Sequence, residues 1–473
     1  MHASLPSLNH VLRLVGLAAL LFAGRAGVPA AGAEKVDALI RGGTLVTMNR
    51  ERRVIERGEI AVRDGRIVAV GSAEELAGRY EAPQVIDAGG RLVIPGLVNT
   101  HGHAAMSLMR GLADDRALMD WLQNFIFPAE AKLVDEPFVR AGTRLACLEM
   151  LLGGTTTYVD MYYFEDAVAD ETAKAGMRGV LGQTLIDFPA PDFKTRDASL
   201  SGCEAFLKKW KGHALVTPAA APHAPYTVSP EHLQAIKQLT DRHGAPLVIH
   251  VAETKNEVAT IRERYQATPI VHLDRLGVLG PNVIAAHVVH PTDDELPILK
   301  KHSVGVAHCP QSNMKLASGI APLPKMLTLD LAVGLGTDGP ASNNDLDLWE
   351  EIDTAAKLHK VATGDPTVVS AREAFALATI GGARAIHQEA QLGSLEAGKQ
   401  ADIVIVAVDG PHQTPLYDVY SHLAYAVKAC DVRTVMVAGK VVVEEREVKT
   451  LDAKAILEEA RGYRDKIRAA VAK

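Results

Sequence analysis

Four places in the chain put metal-ligating or proton-carrying side chains directly after short apolar runs. "LVIPGLVNTHGH" ends in His101 and His103. "APLVIH" ends in His250, with Glu253 three residues on, "VIAAH" ends in His287, and "LAVGLGTD" ends in Asp338. Residues two apart on a strand share a face, so His101 and His103 point the same way. An HxH pair alone is as compatible with a polar loop as with a metal. His101, His103, His250 and Asp338 together suit a single Zn²⁺ with a position open for water, and the same set suits Fe²⁺ or Mn²⁺. Zinc lowers the pKa of bound water to about 7, which points to hydrolysis. In that reading Asp338 binds the metal and accepts the water proton, and His287 holds the attacking oxygen and stabilises charge in the tetrahedral intermediate. Glu253 delivers a proton to a ring nitrogen beside the attacked carbon. Strict alternation would turn Glu253 away from His250, so the strand must stop and turn near Ala252. Glu257 reads as a solvent-exposed acid opening the next helix, and His290, His302, His359 and His387 as surface or helix residues. The parts describe a hydrolase acting on carbon doubly bonded to nitrogen or oxygen.

The elements that must position these groups follow from the pattern around them. "TTTYVDMYY", "RGVLGQTLID", "ALVTPAAAPH", "APLVIHVAE", "VIAAHVVH", "SVGVAHCP" and "LAVGLGTD" are short apolar strands separated by helix-length stretches. Strands alternating with helices imply a parallel sheet. With "LVIPGLVNTHGH" the number reaches eight, so the fold class is α/β, a (β/α)₈ TIM-like barrel whose reactive groups sit at the carboxyl ends of the strands. On either side lie hairpin-like runs punctuated by Gly and Asp-Gly, such as "GEIAVRDGRIVAVG" and "DVRTVMVAGKVVVEEREV". The division expected is a β-sandwich built from 34–95 and 388–450, a barrel over 96–387, and a surface helix over 451–473. Residues 1–33 read as a signal peptide: Arg13, the apolar run "LVGLAALLFAG", and "AGA" before a cleavage point after Ala33. That reading makes the mature protein exported, periplasmic or secreted. If it is wrong, the protein is cytoplasmic.

Bulk composition narrows the partners. The 473 residues are 48% hydrophobic and 23% charged, with a net charge of −7 and no basic stripe, so neither nucleic acid nor stable membrane insertion is expected. The four cysteines are scattered without a CxxC pair, which excludes a disulfide framework and a cysteine-only zinc site.

The phrases "PGLVNTHGHAAMSLMRGLADD", "HVAET", "AAHVVH", "HCPQSNMKLASGIAP" and "GTDGPASNN" closely resemble the amidohydrolase superfamily. Within it they look like the 5-methylthioadenosine/S-adenosylhomocysteine deaminases, neighbours of the triazine chlorohydrolases and guanine deaminases. The resemblance covers about residues 36–450. It implies one zinc or iron held by His101, His103, His250 and Asp338. No lysine ends the fourth strand, so a carbamate-bridged pair of metals is not expected. It also implies a homo-oligomer and contacts to a purine nucleoside, with Glu253 and Asp338 touching substrate. Glu130 in "FPAEAK" matches the acid that takes the ribose hydroxyls, and His223 in "APHAPYTVS" matches the histidine that bonds the purine ring. Trp121 could wall the pocket, although core packing is the usual place for such a residue. Where several members carry an arginine for the homocysteine carboxylate, this chain has Gln183, and for the second arginine of that clamp the loop "DFPAPDFKTRDAS" offers Lys194 or Arg196. A glutamine cannot make that bidentate, charge-assisted contact. The expected preference is therefore methylthioadenosine and adenosine over S-adenosylhomocysteine, with deamination at C6 as the reaction. Two other readings stand beside it: a guanine deaminase or chlorohydrolase working on another nitrogen heterocycle, and an inactive exported barrel serving as a binding protein.

Overall fold

A computed structural model describes residues 32–471, so the expected signal peptide lies almost wholly outside the described residues. Within it the eight apolar runs form eight parallel strands in sequential order. They are β1 (Leu97–Asn99), β2 (Thr155–Tyr162), β3 (Arg178–Leu185), β4 (Val216–Pro222), β5 (Leu247–Val251), β6 (Val283–His287), β7 (Gly305–His308) and β8 (Ala332–Leu335). The ring closes where the Thr100 amide donates to the Leu335 carbonyl at 2.9 Å. The register is in step across the site: His250 of β5 lies opposite Ala286 of β6, and Val251 opposite His287.

The strands are buried on both faces, and their alternation divides them cleanly. Val98, Val159, Met161, Val180, Ala219, Val248, Ile284 and Ala307 fill the barrel interior, joined by Ala383 and Ile386 from the chain leaving it. The residues between them, such as Tyr158, Leu181, Ile249 and Val306, belong to the larger core outside, against the helices. Each such valine, isoleucine or leucine contributes roughly 1.5–3 kcal/mol by leaving water. That rigid wall fixes where the strand ends point.

The two ends of the chain meet in one nine-stranded sheet. Its joint is the antiparallel pairing of Leu92–Pro95 with Ile403–Val406, with Ile403 opposite Pro95 and Val406 opposite Leu92. Ile40, Leu45, Ile60, Val93 and Ile405 form the core of this second unit. Glu34–Lys35 and Tyr80–Glu81 make a small parallel pair beside it. The last helix, Ala453–Val471, lies against Glu136–Leu152: Tyr463 meets Phe138 edge-on at 5.4 Å and Glu459 pairs with Arg144 at 2.7 Å. Among the described residues no helix is long and apolar enough to cross a membrane.

Candidate metal centre and its cavity

β1 stops at Asn99, so His101 and His103 sit on the loop leaving it, and their rings still converge to 4.9 Å between centroids. Strand β8 passes so close that a Cβ on Gly336 would lie 2.8 Å from the His101 amide nitrogen, which explains glycine there. His250 is within β5, His287 ends β6, and Asp338 follows β8. Four non-glycine residues at these strand ends have left-handed backbone: Ala252 (φ 52°), His287 (φ 72°), Val288 (φ 45°) and Asp338 (φ 62°). Each such conformation costs about 1–2 kcal/mol and persists only where surrounding structure imposes it. The turn at Ala252 is the one that strand alternation demanded, and it brings Glu253 into the cavity beside His250.

The hydrogen bonds around the imidazoles leave the right atoms free. Nδ1 of His103 donates to the Met161 carbonyl at 2.7 Å, and Nδ1 of His250 to the His223 carbonyl at 2.8 Å, so both Nε2 atoms face inward. His101 is fully buried with neither ring nitrogen bonded to protein. Asp338 Oδ1 lies 3.4 Å from His101 Nε2 and 3.2 Å from His103 Nε2. The second oxygen of Asp338 accepts from Ser312 Oγ at 2.6 Å and Ser342 Oγ at 2.9 Å. Ligand atoms of His101, His103 and Asp338 all fall within 4.8 Å of one another, as do those of His101, His250 and His287. A buried imidazole without a partner is costly in a folded chain, and a cation accepting its lone pair removes that cost. The donor set of nitrogen plus one carboxylate fits zinc.

Protonation agrees with this donor set. Burial pushes His101 down to about 4 and His250 well below the ordinary imidazole value, so both are neutral at pH 7. Burial also opposes charge on His103, but the bond to Asp338, that carboxylate's charge and the Met161 carbonyl outweigh it and hold His103 at about 9. A cation held between His103 and Asp338 takes the place of that proton. Metal loading of the stripped protein at pH 7.5 is therefore expected to release about one proton. Titration calorimetry in buffers of different ionisation enthalpy measures it, and zero release would contradict the pairing.

Beside these residues stand two further groups. His287 Nε2 lies 3.9 Å from Glu253 Oε2, and His287 is fixed by Nδ1 donating to Asn313 Oδ1 at 3.0 Å. Burial, opposed by the nearby His287, raises the Glu253 carboxyl above its ordinary range. Ser318 Oγ reaches Glu253 Oε1 at 3.5 Å. Ser312, Asn313 and Ser318 all come from the segment after β7, which thus touches Asp338, His287 and Glu253 in turn. The phrase "HCPQSNMKLASG" carries these residues, yet their roles appear only once that segment folds across the barrel mouth.

All of this opens into one cavity at the mouth of the barrel. Glu130 lines it, buried, accepting from Tyr162 Oη at 2.7 Å, and burial pushes its carboxyl up to about 7. His223 lines it too, with Nδ1 engaged by Thr227 Oγ1 at 3.0 Å, which leaves Nε2 for a ligand. Leu118, Trp121, Leu122, Ile126 and Phe127 form an apolar wall, so Trp121 is a lining residue as well as a packed one.

Several expectations need correction. Gln183 does not line this cavity: Thr184 does, and its neighbour on the strand faces the opposite side. There Gln183 donates to Asp192 Oδ2 at 2.8 Å, in a separate hollow with Glu165. Lys194 bonds the Ala190 and Pro191 carbonyls, and Arg196 pairs with Asp187, so neither substitutes in the cavity. Gln183→Ala is accordingly expected to change kcat/KM on any cavity ligand less than about threefold, as steady-state rates would report. Glu257 is buried rather than exposed. His359 is a helix residue, in Leu348–Thr363, with its Nε2 3.0 Å from His308 Nε2.

Residues 92–442 match the amidohydrolase family, and residues 60–80 match an imidazolonepropionase-like composite domain of bacteria. The chain is 46% identical over 430 residues to a 5-methylthioadenosine/S-adenosylhomocysteine deaminase of Syntrophobacter fumaroxidans, covering 91% of this chain and 98% of that one. It is 44% identical over 427 residues to a 5'-deoxyadenosine deaminase of Methanosarcina acetivorans, covering 90% and 97%. Among solved structures, an adenosine deaminase from Xanthomonas campestris with bound zinc superposes with a TM-score of 0.91 at 38% identity, covering 92% of this chain and all of that one.

Proposed function

The chain belongs to the amidohydrolase family, and from that premise we propose that it hydrolytically deaminates adenine nucleosides with a single zinc ion. The observation that carries the reading is one cavity holding both a His/Asp cluster able to bind a metal and, apart from it, a buried carboxylate, Glu130, suited to a diol. Adenine then lies toward Glu253 and His287, and ribose toward Glu130, whose two oxygens accept from the 2'- and 3'-hydroxyls. His223 bonds the purine ring through Nε2.

When held by His101, His103, His250 and Asp338, zinc supplies the Lewis acidity that makes water a nucleophile near neutral pH. Asp338 accepts a proton from the attacking water, and its two serine bonds keep its other oxygen in place. Glu253, with a carboxyl raised by burial, is protonated readily enough to donate to N1 as the oxygen adds to C6. His287, anchored by Asn313, bonds the incoming oxygen. Asp338 then passes its proton to N6 as the C6–N6 bond breaks and ammonia leaves, N1 keeps the proton from Glu253, and the added hydroxyl returns its proton to Glu253 as the inosine-type carbonyl forms.

Substrate preference follows from the apolar wall. Among the described residues no lysine or arginine lines the cavity, so a 5' substituent there is uncharged or small. Methylthioadenosine and adenosine are preferred to S-adenosylhomocysteine for that reason, and not because of Gln183. Turnover in water enriched with heavy oxygen tests the chemistry: the label is expected at C6 of the product, and unlabelled product would overturn hydrolysis. We place the activity outside the cytoplasm on the strength of Arg13, the apolar run and the "AGA" sequence. Amino-terminal sequencing of the mature protein tests this, and an intact Met1 in a cytoplasmic fraction would refute it.

A further inference from the structure

The helix Lys255–Tyr265 begins with Thr254 as its N-cap, whose Oγ1 accepts from the Glu257 amide at 3.2 Å. In a capping box, the glutamate at this third position returns the bond to the cap residue's own amide. Glu257 reaches further back. Its Oε1 accepts from the Ala252 amide at 2.9 Å and its Oε2 from the Glu253 amide at 2.8 Å. Those amides flank the left-handed turn, φ 52° at Ala252, that takes Glu253 out of the alternation of β5 and into the cavity. The Ala252 carbonyl is held from the other side by the amides of Val289 and His290, at 3.1 and 3.0 Å.

We propose that Glu257 is a positioning residue for proton transfer: its carboxyl group clamps the Ala252–Glu253 turn and so sets where the Glu253 carboxyl stands in the cavity. This rests on the reading of Glu253 as the proton-transfer group. The geometry requires an acceptor at both oxygens. An amide offers only one and confronts the second N–H with its own NH₂. Aspartate is a methylene too short to reach both. The bonds serve the turn ahead of the helix, so their loss acts on Glu253 more than on the helix, which keeps the Thr254 cap.

The test uses the full-length, metal-loaded protein and the variants Glu257→Gln, Thr254→Ala and Glu253→Gln. Glu257→Gln is expected to lower kcat about 10- to 100-fold with KM within about twofold, since small misplacements of a reacting group carry such costs. Amide hydrogen exchange in the peptide spanning 250–256 should quicken about tenfold or more, independently of activity. Thr254→Ala removes the helix's own cap and is expected to lower Tm while leaving kcat within about twofold. Should Glu257→Gln fail to fold, Glu257→Asp is read the same way. A folded Glu257 variant with parental kcat and parental exchange overturns the clamp. Full turnover in Glu253→Gln would instead defeat the functional reading, leaving the exchange measurement to judge the clamp.

Discussion

Glu253→Gln is expected to retain the metal and lose turnover by on the order of 10²- to 10⁴-fold, the range general acid–base catalysis commands. Glutamine preserves the volume and the contact with Ser318, but it cannot carry a proton to N1. Glu253 stands outside the ligand set of His101, His103, His250 and Asp338, so metal content measured by atomic emission should match the parent. Glu253 is only 6% exposed, which leaves no bulk-water route to replace it efficiently. Turnover within about threefold of the parent would show that another group supplies the proton.

The second large effect concerns Glu130. Two hydrogen bonds from ribose hydroxyls to a buried carboxylate contribute roughly 1.5–3 kcal/mol each. Glu130→Ala should therefore lower kcat/KM for adenosine by about 10²-fold or more, with little change for free adenine. An equal loss on both would remove the ribose contact. The acid's elevated range adds a pH signature. Burial raises it to about 7, so the carboxylate form, and with it nucleoside selectivity, fades as pH falls through 7. Stability runs the other way. A carboxyl raised in the folded state favours folding below its unfolded value and loses that contribution as pH rises through 7. Glu130→Gln should thus unfold at a higher temperature than the parent at pH 8, with the difference shrinking by pH 4. Glu130 is a position where binding chemistry is maintained against stability.

How much of this was legible before folding depended on whether a residue's role was local. His101, His103, His250, His287 and Asp338 follow apolar strands, and a barrel's strand ends converge, so type and position sufficed. The turn at Ala252 was legible too, because alternation left Glu253 on the wrong face unless the chain bent. The same strand geometry sets Gln183 apart: matching a family position says nothing of the face, and counting one residue from Thr184 turns it outward. Ser312, Asn313, Ser318 and Tyr162 were out of reach because each meets its partner across the barrel mouth, 26 to 65 positions away in sequence. Glu257 looked like a helix-opening acid, and its spacing of four from Glu253 was the one available hint that the two share a helix-start geometry. Leu92–Pro95 pairs on one side with Ala38–Val46 and on the other with Ile403–Val406, a pairing across about 300 residues that no local pattern announces.

The most direct measurement is ammonia release by the zinc-loaded protein offered methylthioadenosine, adenosine, S-adenosylhomocysteine, guanine and a chlorotriazine separately. Rapid release is expected from the first two, slower release from the third, and none from guanine, with the chlorotriazine unchanged. Activity confined to guanine or the chlorotriazine would contradict the ribose role of Glu130 and the nucleoside assignment with it. Silence across all five with metal bound would contradict deamination itself.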